Sequence, residues 1–153
     1  MELNDITYKI NGCAMKVHNK LGNGFQEVIY QRCLAIEFDK AKLNFGREVE
    51  QDIYYEGIQV GTRRADFVVE DRVIVEIKAV IRLEDVHLAQ AKNYVVMYNF
   101  PIGLLINFGS TSLEFKKVFN NNDRYKKEST AKISEASFSK VWDNSEDAAY
   151  DSL

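Results

Sequence analysis

Several features are in short supply in this sequence, and each shortage narrows what the protein can be. Cysteine occurs twice, at Cys13 and Cys33, in two segments that read as helices and without metal-type spacing. Buried reduced thiols of a cytoplasmic protein are the expected state. No apolar run approaches the roughly 20 residues that a membrane span needs. The polar start, Met1 to Tyr8, has no basic region leading into an apolar stretch, so no signal peptide is expected. A basic surplus is missing as well: 20 Lys and Arg stand against 23 Asp and Glu, for a net charge of −3. That argues against a strong non-specific grip on nucleic acid, although carboxylates gathered around a cation are offset locally. No internal repeat is present.

What remains is the composition of a soluble globular domain. The 153 residues are 46% apolar and 28% charged, which suits one core. Ile6, Ile10, Cys13, Ala14, Val17 and Leu21 recur at helical spacing and predict a helix over 4–20, stopped by Gly22-Asn23-Gly24. A second helix is expected over 26–40. Phe45 to Tyr55, Ile58 to Glu70 and Arg72 to Val80 read as strands joined by short turns at Glu56-Gly57 and Glu70-Asp71, hence as an antiparallel meander. Helical spacing returns over 84–99. Pro101, the one proline, lies just past it, and Ile102 to Phe108 forms a short apolar strand. A strand–helix–strand unit of this kind places the new strand parallel to a neighbour. Leu113 to Phe119 adds a last strand by a hairpin. The composition then turns polar, and 120–153 is expected to be a tail, helical at most over 131–142 and otherwise disordered. The expected fold is an α/β domain over 1–119, a mixed sheet flanked by helices in the order α-α-β-β-β-α-β-β.

The chemistry concentrates in Arg63-Arg64-Ala65-Asp66 and Val75-Glu76-Ile77-Lys78. Strand side chains alternate, so Glu76 and Lys78 share a face with Ile74. Charges among aliphatics are costly without partners. The preceding strand, returning through a tight turn, brings Asp66 alongside. Two carboxylates and an ammonium then converge. Mg²⁺ takes few carboxylates and keeps several waters. Asp66 and Glu76 are the expected ligands, with the Ile77 carbonyl in addition, and Lys78 can orient or deprotonate the attacking water and steady charge on a phosphate. The plain alternative is a Glu–Lys ion pair on a solvated sheet face, which is common and weak. Gln90 and Tyr94, four apart on the next helix, share a face and can reach phosphate or sugar oxygens. Glu27 and Tyr30 share a face at the start of the second helix, where a glutamate also favours the helix dipole. His18 and His87, neither with a second histidine beside it, read as packing or surface residues.

Together these residues resemble a known family. Gly24-x-x-Glu27-x-x-Tyr30 is similar to the motif of the GxxExxY proteins, a branch of the PD-(D/E)XK nuclease superfamily. Asp66 followed by Glu76-Ile77-Lys78 resembles that superfamily's catalytic motif, and Gln90-x-x-x-Tyr94 resembles the motif that follows it in nucleases related to the RecB nuclease domain. The resemblance runs from about Ile6 to Phe119. It implies a restriction-endonuclease-like core and a catalytic set of Glu27, Asp66, Glu76 and Lys78. Mg²⁺ or Mn²⁺ would sit on Asp66, Glu76, Glu27 and Ile77, with substrate contacts from Gln90, Tyr94, Tyr30 and Arg64. The expected activity is metal-dependent hydrolysis of nucleic acid, DNA ahead of RNA, at single strands or ends. Arg32, Arg47, Arg63, Arg64, Lys92, Lys116 and Lys117 are the candidates for a basic track. The competing readings are a nuclease-fold module that binds nucleic acid or a protein without cutting, and an assembly subunit whose carboxylates are only sheet-surface charges.

Overall fold

The computed structural model describes residues 1–121. The polar tail and the helix expected over 131–142 lie outside the described residues. Two helices, α1 (Leu3–Leu21) and α2 (Glu27–Lys40), precede three strands, β1 (Phe45–Tyr55), β2 (Ile58–Val69) and β3 (Val73–Lys78). A third helix, α3 (Asp85–Tyr98), leads to β4 (Ile102–Asn107) and β5 (Glu114–Phe119). The five strands form one sheet in the order β1-β2-β3-β4-β5. Pairing is antiparallel for β1–β2, β2–β3 and β4–β5 and parallel for β3–β4. This mixed sheet with helices on both faces is a restriction-endonuclease-like core.

Alternation divides the apolar residues between two layers. Val73, Val75 and Ile77 of β3 pack with Ile10, Val17, Tyr30 and Leu34 of α1 and α2. Ile74 of β3 and Leu105 of β4 pack with Ala91, Tyr94, Val95 and Tyr98 of α3. Phe38, Phe45 and Phe67 meet edge to face, with ring centroids 4.9–5.6 Å apart, the arrangement aromatic quadrupoles favour. β3 and β4 are buried on both faces because helices cover both.

The helix ends have local causes. α3 starts with a capping box in which the Glu84 side chain accepts from the His87 N–H, while the Glu84 N–H donates to His87 Nδ1 at 2.9 Å. It ends at Asn99, which adopts the left-handed conformation; Pro101 follows that stop rather than making it. The domain also reaches one residue further than the sequence indicates. Asn120 is buried, and its amide donates to the carbonyls of Val95 and Phe100 at 3.2 and 3.0 Å.

The segment leaving β3 is fixed by β4 and β5. Asn107 is fully buried; its Oδ1 accepts from the Val80 and Gly109 N–H groups and its Nδ2 donates to Val80 O and Glu114 Oε1. Gly109 allows this approach: a Cβ there would lie 2.4 Å from the Val80 N and O atoms. Gly109→Ala is therefore expected to cost about 1–3 kcal/mol, as forced overpacking does, read as a lower urea midpoint. An unchanged midpoint would show that the backbone yields there.

Candidate active site

β2 and β3 are joined through Glu70 and Asp71, both at positive φ, and pair at Val69–Val73, Val68–Ile74 and Phe67–Val75. The ladder stops at that point. The next opposed residues are Asp66 and Glu76, and their side chains take over as acceptors. Asp66 Oδ2 accepts from the Ile77 N–H at 2.8 Å, and Glu76 Oε2 accepts from the Asp66 N–H at 3.3 Å. Each carboxylate thus bonds a backbone N–H of the opposite strand, in place of the interstrand bonds that end there. The two acidic groups stay at one fork in the sheet.

Asp66 has a further partner. Gln31 on α2 donates from Nε2 to Asp66 Oδ1 at 2.9 Å, and Gln31 is itself buried. Sequence reading did not single out Gln31; the available signal is its place one turn after Glu27 on the same helix face. Glu27 is exposed at the first position of α2. Its charge helps to raise Asp66, but no group of three or more His, Cys, Asp or Glu positioned to hold a metal forms among the described residues. Tyr30, expected at the substrate, is fully buried instead. Its hydroxyl donates to Gly22 O at 2.5 Å and accepts from the Phe25 N–H, and its ring stacks on Phe108 with centroids 4.7 Å apart. It shapes the loop before α2.

Strict alternation fails beside the fork, at Glu48. Glu48 has φ 54, the pair Glu48–Asp66 is missing from the β1–β2 register, and the strands change faces there; a second register shift, between Ile53 and Tyr54, lies farther from the fork. Phe45 and Phe67 pack toward α1 and α2, whereas Val49 and Ala65 pack toward α3. This turn of the strands decides which way the two arginines face. Arg64, expected to face substrate, points outward to Glu48 and Glu50, with side chains on both sides about half exposed. Arg63 turns inward: its Nε donates to the Tyr94 hydroxyl at 3.1 Å, and its guanidinium lies 4.6 Å from the Tyr94 ring centroid. The Tyr94 hydroxyl in turn donates to Arg64 O at 3.0 Å. Gln90, one turn earlier on α3, is buried. Lys78 is half-buried at the end of β3 and has no ion pair within 4.0 Å among the described residues, so the plain Glu–Lys pair is not formed. His18 packs near Phe108 and bonds Ser110 O, and His87 serves the capping box.

Electrostatics follow from this crowding. Burial pushes the Glu76 carboxyl well above its usual range, and the neighbouring Asp66 charge adds to the rise; the Asp66 N–H, Lys78 and Arg63 offset part of it. Asp66 is also raised, by burial first, against the Ile77 N–H and Gln31 bonds that favour its charged form. Burial, with Glu76 nearby, pushes Tyr94 up to about 12, so it stays protonated. Two adjacent carboxylates, Glu76 buried and Asp66 half-buried, both with raised pKa values, suit a divalent cation, whose charge would relieve both burial and repulsion.

A family model of the PD-(D/E)XK nuclease superfamily matches residues 4–118. The chain belongs to the PD-(D/E)XK nuclease superfamily. Among solved structures, the crystal structure of SSO0001 is similar in fold, with a TM-score of 0.50 and 17% sequence identity over 76% of this chain. The chain spans 55% of the length of that protein. No curated protein matches. PD-(D/E)XK nucleases typically use divalent metals, consistent with the donor set at the fork. No helix among the described residues is long and apolar enough to cross a membrane.

The raised Glu76 carboxyl fixes a sign. Below its ordinary value of 4.5 the group is protonated in folded and unfolded chains alike; above it, the unfolded chain ionises first. Metal-free protein should therefore lose stability as pH rises from 4.5 through the higher folded-state value. In EDTA, Glu76→Gln should flatten that decline and raise the urea midpoint at neutral pH. A variant with the wild-type pH slope would show that Glu76 is not a source of this strain.

Proposed function

We propose that this protein is a divalent-metal-dependent nuclease that hydrolyses phosphodiester bonds, with DNA as substrate ahead of RNA and single strands or ends ahead of closed duplex. The observation that carries this reading is the fork itself: Asp66 and Glu76 converge where the β2–β3 ladder ends, with Lys78 two residues further on the same strand. Membership of a superfamily of phosphodiesterase nucleases supports it.

Asp66 and Glu76 would hold Mg²⁺ or Mn²⁺, with the Ile77 carbonyl and Glu27 as the further ligands. Such an ion supplies Lewis acidity toward a phosphoryl oxygen and makes water a better nucleophile near neutral pH. Gln31 keeps Asp66 oriented through its 2.9 Å bond. Lys78 orients or deprotonates the attacking water and stabilises charge that grows on the phosphate. Arg63 is held at Tyr94 beside the fork, where a guanidinium can meet a phosphate oxygen. Gln90 contacts the substrate or holds the site together.

A second reading has one observation in its favour: no three-ligand acidic cluster forms among the described residues. On that reading the fold binds nucleic acid without cutting it. Labelled DNA and RNA, incubated with Mg²⁺, Mn²⁺ or EDTA, separate the two. The nuclease reading predicts metal-dependent cleavage that falls by about 10²-fold or more in Lys78→Ala and Glu76→Ala. Equal cleavage by all three proteins would remove the assigned site. Undetectable metal binding by calorimetry, with and without DNA, would favour the binding module.

A further inference from the structure

The loop between β3 and α3 carries the most exposed large apolar side chain of the described residues, Ile81, which is 88% exposed. The loop is anchored on both sides of it. The Val80 N–H and carbonyl both bond the Asn107 amide, at 2.9 Å each, and the Leu83 N–H donates to Glu114 Oε1 at 3.0 Å. A fixed backbone thus holds an aliphatic side chain in water, away from both apolar layers, where an apolar group gains by being covered.

Ile81 borders a cleft of about 490 Å³ whose other walls are Val80, Arg82, Glu84 and His87. The cleft is shallow and open to solvent, so a ring could lie against its wall without being enclosed. The cleft begins two residues after Lys78, so its first wall is tied to the end of β3 that carries the Lys78 ammonium. The Glu84 carboxylate makes it a poor seat for a phosphate. Its other groups suit a flat ring with polar edges. Val80 and Ile81 offer an aliphatic surface and Arg82 a guanidinium that can stack. His87 Nδ1 accepts the Glu84 N–H, so the neutral imidazole carries its proton on Nε2 and presents a donor.

We propose that this cleft receives an unpaired nucleobase of the strand whose phosphate lies at Lys78, with Ile81 as the surface against which the base rests. The inference rests on the nuclease reading and deepens it. A base buried in a closed duplex cannot enter the cleft, so the contact selects single strands and frayed ends.

The test uses the full chain, its Ile81→Ser and Ile81→Phe variants, and oligonucleotides carrying 2-aminopurine, as single strand, frayed-end duplex and closed hairpin. Ile81 is exposed, so both variants should keep the wild-type melting temperature. Wild type should change the reporter's fluorescence on binding and prefer single strands and frayed ends over the hairpin. Ile81→Ser should lose about tenfold of that preference, the order of effect of no longer covering one aliphatic side chain, and Ile81→Phe should keep it. Wild type that cleaves nothing would defeat the nuclease reading alone, because the fluorescence change on binding still decides the base contact. Identical fluorescence and preference in wild type and Ile81→Ser would overturn the proposal. So would a wild-type dimer that Ile81→Ser dissociates while leaving the reporter unchanged, which would make a second copy the occupant.

Discussion

The structure turns on a short exchange of hydrogen bonds where β2 and β3 part. Asp66 accepts from the Ile77 N–H and Glu76 accepts from the Asp66 N–H, so each carboxylate bonds backbone where the ladder ends. This exchange accounts for two facts together. It places two acidic groups at one fork, and it buries them far enough that the Glu76 carboxyl is pushed well upward. A fold gains little stability from such a pair, because desolvation and like charge both oppose it. A cation is the partner that would change that balance.

The rest of the domain holds the fork still. α2 contributes Gln31 to Asp66, and the loop before α2 is closed by Tyr30. On the other face, α3 contributes Tyr94, whose hydroxyl links Arg63 to the β2 backbone. Beyond Lys78, the Phe108 N–H donates to the Lys78 carbonyl at 2.8 Å, and Asn107 grips Val80. A functional group set on strands and braced by buried polar bonds is more accurately positioned than one on a free loop. The same bracing keeps Ile81 exposed beside the cleft formed by the segment between β3 and α3.

Much of this was legible in the sequence, for stated physical reasons. Helical and strand periods were strong, so the element order and the antiparallel meander followed from them. The tight turn at Glu70-Asp71 fixed the register that sets Asp66 against Glu76. What stayed hidden depended on distant partners or on backbone geometry without a residue signal. Gln31 meets Asp66 across 35 positions of sequence. The change of faces at Glu48 uses a positive φ at a residue that does not favour it, so the inward turn of Arg63 and the outward turn of Arg64 were not legible. Tyr30 was expected at the substrate, but burial and its loop bonds give it an architectural part. Asn107 and Glu114 carry no sequence signal of their own; only the fold shows that they grip the segment after Lys78.

A cation held by Asp66 and Glu76 would leave a directly visible trace. Its most direct measurement is anomalous diffraction from a crystal soaked in Mn²⁺. The account predicts a peak between the Asp66 and Glu76 carboxylates. A saturated crystal with no peak there, or with manganese bound only at unrelated surface carboxylates, would contradict it.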